Sequence, residues 1–426
     1  MHPLLRVPYA ALGAAAELAS LIVPDGSSKW RHSLAARRGV GERFRAFAEG
    51  RPRGRPLAWF HAPSVGESLQ ALPLVNRLAA QRPDVLRAYT WFSPSAESFA
   101  TRFDVQFRDY LPFDTARAAR NALDALQPAA LIYSKLDVWP VLTAHAAARG
   151  VRLGLVSATM AASTSRSGRL ARALLRDAYA SLDAVGAVSA DDAERLVSLG
   201  VHRERITVTG DTRYDQAWER AHPAAEVPRP FASLASSRPT LVAGSTWPAD
   251  ERHLTAAWTA LRKRVPEARL IVAPHEPTAA HLEPLERWAA DARLSCARLA
   301  NGHAQSADVV LVDRVGVLAD LYAAGHVAFV GGGFHPAGIH SVVEPAASGL
   351  PVLFGIGGNR NRDAVGLVAA GAGHAVQDAA EITQRLTEWL GDSKSAASAG
   401  VAAARFIHAG LGAAERSATL VLGLLP

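Results

Sequence analysis

The hydrophobic positions of this chain fall into short apolar runs that alternate with stretches of helical periodicity. Apolar residues spaced three and four positions apart predict helices, as at Ser163–Tyr179 and Ala190–Leu199. Between residues 55 and 215 the apolar runs predict strands at Leu57–His61, Arg87–Phe92, Ala130–Tyr133, Arg152–Ser157, Ala184–Val188 and Ile206–Val208. Such alternation is typical of a parallel sheet with helices on both faces. We therefore predict an α/β domain over residues 27–220.

A second α/β set follows a proline-rich segment. Residues 221–239 contain four prolines and few bulky apolar side chains, which predicts an interdomain linker. The next domain is predicted over residues 240–393, with strands at Thr240–Ala243, Arg269–Ala273, Val309–Val312, Val327–Val330, Val352–Phe354 and His374–Val376. Residues 394–426 are alanine-rich and predict a C-terminal helical segment that packs back across the domain boundary. The predicted fold class is α/β with two domains.

The N-terminal segment, residues 1–26, is apolar over about the length of a membrane span. Residues 29–55 then carry nine lysines and arginines against two glutamates. An apolar helix beside a basic run is typical of a helix lying in the surface of an anionic bilayer, with the rest of the chain on the cytoplasmic side. The alternative is a soluble helix docked on its own domain.

Composition narrows the class of partner. A formal charge of +7 on 426 residues favours an anionic partner, which is an acidic membrane surface, a phosphorylated substrate or nucleic acid. No nucleic-acid module signature is present, and the aromatic residues are not interleaved with the basic ones, so nucleic acid is the least favoured. The single cysteine, Cys296, excludes an internal disulfide framework and fits a reducing compartment.

The stretch from Trp59 to Ser68 is the strongest candidate for chemistry in the first domain. Its apolar run breaks at Pro63 into a helical pattern, which places Glu67 in the first turn of a helix at the carboxyl end of a strand. Open α/β sheets bind their ligands at that edge, and a carboxylate there can act as a general base. Ser64 and Glu67 also match a capping box, which would satisfy helix N–H groups without any chemistry.

Three loops in the second domain follow successive predicted strands. The first begins Gly244-Ser245-Thr, the second is Pro274-His275-Glu, and the third contains the glycine triplet Gly331–Gly333. The backbone N–H groups of the first loop can cradle an anion, and the glycine triplet allows close backbone approach to a phosphate. Glu344 could accept hydrogen bonds from ribose hydroxyls. Each loop alone is also compatible with a plain capped turn. Three of them on one sheet favour a nucleotide site.

Several motifs are absent from the sequence. It has no GxxxxGK[ST] phosphate loop, no GxGxxG fingerprint, no Asp-x-Asp and no histidine–carboxylate cluster with metal spacing. It also has no GxSxG elbow, which argues against a hydrolase of the α/β type. We therefore expect chemistry without a bound metal or cofactor.

Nine ordered landmarks run along nearly the whole chain: WFHAPSVGES (59–68), TWFSPSAES (90–98), YLPFDT (110–115), SKLDVWP (134–140), GDTRYD (210–215), AGSTWPADE (243–251), APHEP (273–277), VDRVGVLADLY (312–322) and VGGGFHPAGIHSVVEPAASGLPVLFG (330–355). Together they resemble the 3-deoxy-D-manno-oct-2-ulosonic acid (Kdo) transferases of lipopolysaccharide assembly. The resemblance implies two Rossmann-like domains facing a cleft, the glycosyltransferase B fold. The first would bind the acceptor and the second the nucleotide sugar, with membrane association at the cytoplasmic face of the inner membrane.

The implied reaction moves Kdo from CMP-Kdo to a hydroxyl of a lipid A precursor, with inversion and without a metal. Glu67 matches the family's general base. Asp137 and Arg213 match positions that stabilise the transition state, although Asp137 stands where the family usually has Glu. The implied nucleotide-sugar site consists of Ser245, Pro274, His275, Val315, Gly316, Val317, Ser341, Val342, Val343 and Glu344.

Two departures from the family pattern leave other functions open. Ser341 replaces a usual Asn, and Val317 replaces Glu of a more familiar Gly-Glu-Leu form. These changes are compatible with a glycosyltransferase of the same fold that uses a different activated sugar. A non-catalytic relative that binds lipid or nucleotide is the third hypothesis, and retention of Glu67 and Arg213 argues against it.

Overall fold

The computed structural model describes residues 1–26, 28–160, 168–223, 230–301 and 303–426. These residues form two compact units, each with its own sheet. The first unit comprises Met1–Asp215 and Leu411–Pro426, and the second comprises Gln216–Gly410. Residues 224–229 of the predicted linker and residues 163–167 of the predicted helix at Ser163–Tyr179 lie outside the described residues.

The first unit is built on a parallel sheet. Its strands are β1 Leu57–His61, β2 Leu86–Trp91, β3 Phe107–Tyr110, β4 Ala130–Ser134, β5 Arg152–Ala158, β6 Ala184–Ala187 and β7 Ile206–Val208. Their order is β3-β2-β1-β4-β5-β6-β7, and every neighbouring pair is parallel. The chain reverses its direction across the sheet between β1 and β4. Ligands of open α/β sheets bind at such a topological switch point, outside the carboxyl ends of the strands.

Nine helices belong to the first unit within the described ranges. They are α1 Pro3–Ile22, α2 Lys29–Ala35, α3 Val40–Gly50, α4 Val65–Gln81, α5 Ala116–Leu126, α6 Pro140–Ala147, α7 Arg169–Ala180, α8 Ala190–Leu199 and α17 Ala413–Leu422. The boundary between the two units falls within α9, Thr212–Ala221. The sheet is fully buried along β1, β2 and β4, because helices cover both of its faces.

The second unit contains another parallel sheet of seven strands. They are β8 Thr240–Thr246, β9 Arg269–Pro274, β10 Cys296–Arg298, β11 Val309–Leu311, β12 Val327–Val330, β13 Val352–Gly355 and β14 Gly373–Val376. Their order is β10-β11-β9-β8-β12-β13-β14, so the switch point lies between β8 and β12. The helices are α10 Pro248–Leu261, α11 Ala279–Asp291, α12 Leu318–Leu321, α13 Val343–Ala347, α14 Arg362–Ala369, α15 Ala379–Gly391 and α16 Ser393–Ala409.

The two sheets confirm the predicted α/β class, and all twelve predicted strands are present. The two strands that the sequence pattern missed are β3 and β10, and each lies at one edge of its sheet, whereas β7 and β14 at the opposite edges were predicted. An edge strand has one neighbour and often one solvated face, so its sequence need not be a continuous apolar run. β3 exposes Arg108, and β10 has no fully buried side chain.

The N-terminal helix α1 docks one side on the first unit and leaves apolar side chains exposed. Tyr9 Oη donates a hydrogen bond to Asp114 Oδ2 at 2.8 Å, and Thr115 Oγ1 donates to Glu17 Oε1 at 2.7 Å. By length and composition alone α1 could cross a membrane. Its exposed large apolar side chains are Leu4, Val7, Leu12, Leu18, Leu21 and Ile22.

The predicted C-terminal helical segment, 394–426, is divided between the two units. Helix α16 belongs to the second unit, whereas α17 belongs to the first. In the first unit α17 packs on α4 and against β5. The side chain of Leu424, just after α17, lies where a Cβ on Gly154 would be. Asp215 accepts hydrogen bonds from the backbone N–H groups of Gly412 at 2.7 Å and Ala414 at 2.9 Å, which fixes the start of α17.

Candidate active site

Glu67 lies at the switch point of the first sheet, in the first turn of α4. Helix α4 begins immediately after the β1 loop, because Pro63 ends the extended run and Ser64 has an extended backbone before Val65. The Glu67 carboxylate is held by two side chains. Ser64 Oγ donates a hydrogen bond to Oε2, and Lys135 Nζ forms an ion pair with Oε1 at 3.0 Å.

The capping-box alternative does not hold in this geometry. Within the described residues, the Ser64 side chain makes no hydrogen bond to the backbone of α4 and donates instead to the Glu67 carboxylate. The side chain of Glu67 is 15 % exposed. Burial alone would raise its pKa, but the Ser64 hydroxyl and the Lys135 ammonium outweigh that effect and hold the pKa below its ordinary value. The carboxylate is therefore ionised near neutral pH.

Asp137 lies on the loop after β4, within a network that joins β1 and β4. The indole Nε1 of Trp139 lies 3.1 Å from His61 Nε2 and 3.2 Å from Asp137 Oδ2, and both can accept its hydrogen bond. His61 Nε2 is also 3.5 Å from Asp137 Oδ2. On its other side the fully buried His61 ring contacts Thr90 Oγ1 through Nδ1 at 3.1 Å. These contacts fix Asp137 at the switch point.

Arg213 lies in the first turn of α9 and forms an ion pair with Asp211, with Nη2 to Oδ2 at 2.6 Å. Its neighbour Thr212 anchors this turn, since Thr212 Oγ1 donates to the carbonyl of Gln70 on α4 at 2.8 Å. Thr212 Oγ1 also contacts Ser157 Oγ at the end of β5, at 3.1 Å. The guanidinium therefore belongs to the same carboxyl edge of the sheet as Glu67 and Asp137.

In the second unit a buried carboxylate, Asp250, joins the loops after β8 and β12. Asp250 Oδ2 accepts from the backbone N–H of Trp247 at 2.9 Å and of Gly332 at 2.8 Å, and Oδ1 accepts from Phe334 at 3.1 Å. Ser245, near the end of β8, has φ +52, a conformation that non-glycine residues rarely adopt. Such strain is concentrated at functional sites.

The glycine triplet after β12 serves packing within the protein itself. A Cβ placed on Gly331 would collide with the carbonyl oxygen of Ser245, and one on Gly332 with that of Gly338. A Cβ on Gly333 would collide with the backbone nitrogen of Gly355. The position that a Cβ would take at each of the three glycines is thus occupied by neighbouring backbone. Glycine is required here by loop-on-loop contact.

Trp247 is the centre of a stacked aromatic group at this edge. Its ring lies parallel to that of His335, with centroids 4.3 Å apart, and 4.6 Å from that of His275. Trp247 Nε1 donates to His340 Nε2 at 3.2 Å, so that nitrogen carries no proton. Burial, followed by the neighbouring His275, lowers the pKa of His340. Sequence reasoning found His275 here and missed Trp247, His335 and His340.

Pro274 ends β9, and His275 follows it with its backbone N–H donated to the carbonyl of Thr246 at 2.9 Å. Ser341 Oγ accepts from the backbone N–H of Val343 at 3.3 Å. The side chains of Val342 and Val343 are buried in the core of the second unit. Any contact that these two valines make with a ligand is therefore through their backbone.

The loop before α12 is exposed. Val315 is 76 % exposed, and Gly316 has φ +85 with open space where a Cβ would lie. Arg220, which sequence reasoning missed, donates to the Gly316 carbonyl at 3.2 Å and pairs with Asp320 at 2.8 Å. The hydrogen bond to Asp320, and to a lesser extent the negative charge of Glu344 in the first turn of α13, raise the pKa of Arg220. Arg220 thus places one cation near Gly316, Val317 and Glu344. No local sequence pattern would reveal this, because a long side chain makes the contacts across the fold.

The described residues contain no group of three or more His, Cys, Asp or Glu side chains arranged to hold a metal ion. His275, His335 and His340 lie near one another, but their rings stack on Trp247 and each other rather than converging on a point.

Solved structures establish the class of fold. The chain aligns with a UDP-N-acetylglucosamine 2-epimerase from Listeria monocytogenes at a TM-score of 0.61 and 12 % identity, over 86 % of this chain and 96 % of that one. It aligns with the corresponding enzyme from Neisseria meningitidis at a TM-score of 0.59 and 15 % identity, over 86 % and 99 %. The protein therefore has the two-domain glycosyltransferase B type of architecture.

Sequence relatives establish the family. A family model for 3-deoxy-D-manno-octulosonic-acid transferase (kdotransferase) matches residues 38–216. The Bordetella pertussis transferase of that name is 33 % identical over 82 % of this chain and 84 % of its own length. The enzyme from Aquifex aeolicus is 26 % identical over 79 % and 86 %. The chain belongs to the 3-deoxy-D-manno-octulosonic acid transferase family and is a glycosyltransferase, which confirms the resemblance seen in its motifs.

Proposed function

We propose that this glycosyltransferase moves Kdo from CMP-Kdo to a hydroxyl of a lipid A precursor. The observation that carries the proposal is the ionised Glu67 at the switch point of the first sheet, in a chain of this family. The acceptor oxygen forms a bond to the anomeric carbon of Kdo while the bond from that carbon to the CMP phosphate oxygen breaks. The bonding electrons leave with CMP, and the hydroxyl proton passes to Glu67.

Inversion follows if this displacement occurs in one step, with the base and the leaving group on opposite faces of the sugar. The reaction needs no metal if protein cations stabilise the charge that develops on the phosphate. Arg213 is proposed for this role, and its contact with Asp211 keeps the guanidinium in place. Asp137, fixed through Trp139, is proposed to stabilise positive charge that develops on the sugar ring.

The second unit is proposed to bind the cytidine nucleotide. Ser245, Pro274 and His275 line the edge around Trp247, and Gly316 offers an unobstructed backbone. The remaining proposed contacts are Val315, Val317, Ser341, the backbones of Val342 and Val343, and Glu344. No cofactor and no nucleic acid enter this proposal.

The experiment is a product assay with the purified protein in detergent. CMP-Kdo is generated in situ, a tetraacyl lipid A precursor is the acceptor, and products are identified by mass. We expect stepwise additions of Kdo that persist when EDTA is present. Absence of product from a folded protein that still binds CMP would indicate a different sugar or acceptor. Absence of CMP binding would overturn the proposed donor site, and loss of activity with EDTA would contradict the metal-free reaction.

We further propose that α1 attaches the protein to the anionic cytoplasmic face of the inner membrane. This rests on the exposed apolar side chains of α1 and on the polar contacts of Tyr9 and Glu17, which hold the helix against its own unit. The protein should float with phosphatidylglycerol vesicles and much less with phosphatidylcholine vesicles. Replacing Leu4, Leu12 and Leu18 together by serine should leave it unbound, and equal flotation of that variant would refute the attachment.

A further inference from the structure

Lys135 stands out because its backbone is strained at the point where its side chain meets the proposed base. It follows β4 directly and has φ +66, in the left-handed region that non-glycine residues rarely adopt. A residue held there is strained and persists only where the surroundings enforce the conformation. The strain therefore points to a role for this side chain.

The surroundings that enforce this turn come from three elements. The Lys135 N–H donates to the carbonyl of Val156 on β5 at 2.8 Å, and Tyr179 Oη, from α7, donates to the carbonyl of Leu136 at 2.8 Å. Ser134 Oγ donates to the backbone carbonyl of Glu67 at 3.2 Å. The turn after β4 and the first turn of α4 are thus fixed to one another, and the Lys135 ammonium is directed at Glu67 Oε1.

The other charged groups described around α4 have partners of their own. Glu97 accepts from Tyr110 and His32, Arg102 lies over the ring of Phe99, and Glu415 pairs with Arg77. Arg213 pairs with Asp211, and burial raises the pKa of Tyr89, which keeps that phenol neutral. Of the cations that the structure describes, Lys135 is therefore the one paired with the Glu67 carboxylate, at 3.0 Å.

We propose that Lys135 is a positioning residue for the transfer reaction, whose ammonium holds the Glu67 carboxylate ionised and oriented toward the acceptor hydroxyl. The inference rests on the proposed role of Glu67 as general base. When Glu67 accepts the proton, the ion pair loses one of its charges. Release of that proton to solvent restores the attraction, so Lys135 also returns the base to its working state after each turnover.

The first test is the pH dependence of kcat/KM for the wild type and for Lys135→Met, which keeps the length of the side chain without its charge. We expect the acid limb of the variant to move to higher pH by about half to one unit, because a nearby cation lowers a carboxylate pKa and this one is partly solvated. Activity should fall most below neutral pH. Lys135→Arg should keep the wild-type limb.

Lys135→Gly separates charge from backbone strain. Glycine adopts positive φ without a steric cost, so this variant should be at least as stable to heat as the wild type. Its acid limb should nevertheless match that of Lys135→Met. If Lys135→Gly is stable and retains the wild-type pH profile, the ion pair has no role in the reaction and the proposal is wrong.

A second readout does not depend on activity. Glu67 can be titrated by ¹³C NMR in protein labelled at the glutamate side-chain carboxyls, with the resonance assigned from Glu67→Gln. Its midpoint should be higher in Lys135→Met than in the wild type by the same half to one unit, roughly. Equal midpoints overturn the inference. If the midpoints differ but no Kdo is transferred, the proposed function fails while the pairing of Lys135 with the carboxylate stands.

Discussion

The two switch points occupy the same place in their sheets but are built by different means. In the first unit, side chains define the site: Glu67 with Lys135, and Asp137 with the buried His61. In the second unit, backbone loops define it, and Asp250 holds them through three N–H groups. Proton transfer needs a charged group at a set position, whereas recognition of a nucleotide needs a shaped surface. The comparison indicates a division of labour between the units.

This difference predicts where each site is fragile. A site of side chains fails when one functional group is removed, although the fold around it survives. A site of close backbone contacts fails when an atom is added, because the loops have no space into which they can relax. Substitutions of each kind therefore test whether the two sites differ in this way.

Glu67→Gln should have the largest effect. It keeps the shape of the side chain but cannot accept a proton, so kcat should fall about 10²–10⁴-fold. CMP binding, measured by calorimetry, should remain within about twofold of the wild type, since the nucleotide is assigned to the other unit. A parallel loss of CMP affinity would show that the two functions are not divided in this way.

Gly332→Ala should have the next largest effect, on stability and on nucleotide binding together. Gly332 has φ +93, and a Cβ there would collide with the carbonyl of Gly338. The collision and the cost of a positive φ for alanine should together destabilise the second unit by about 3 kcal/mol. Its unfolding temperature in calorimetry should fall by roughly 6–12 °C. An unchanged unfolding temperature would mean that the β12 loop is looser than its contacts indicate.

Gly316→Ala is the matched control and should have the smallest effect. Its φ of +85 is similar, but no atom lies within 4 Å of the position of a Cβ. Only the backbone cost of about 1 kcal/mol remains, and the unfolding temperature should fall by roughly 2–4 °C. A loss of CMP affinity much larger than this stability loss would place the ligand against Gly316. If Gly316→Ala were as destabilising as Gly332→Ala, the collision would not be the cause in either.

The sequence predicts the interior of the fold better than its borders. Central strands such as β1 and β12 are continuous apolar runs because both faces are covered, and their predicted ends agree with the structure. The edge strands β3 and β10 were missed, because solvent on one side permits residues such as Arg108. Periodicity reports burial, and strands that are only partly buried carry less of that signal.

The candidate site follows the same rule. Glu67 could be identified from the sequence, because its own segment contains the strand, the break and the helix start. Lys135 could not, since its contact with Glu67 joins segments 68 residues apart and depends on a positive φ. Asp250 could not be singled out from the sequence either, because its contacts with Gly332 and Phe334 join the segment after β8 to the loop after β12 through the fold. Local patterns locate single groups, and tertiary structure selects their partners.

The return of α17 to the first unit has a consequence for synthesis on the ribosome. Helix α4, which carries Glu67, is covered by α17, and the start of α17 is held by Asp215. The whole second unit is translated between these two parts of the first. Multidomain chains generally fold from the N-terminus as they emerge. Here the first unit must wait with one apolar flank uncovered until residues 411–426 leave the exit tunnel, and that interval is when chaperones would be needed most.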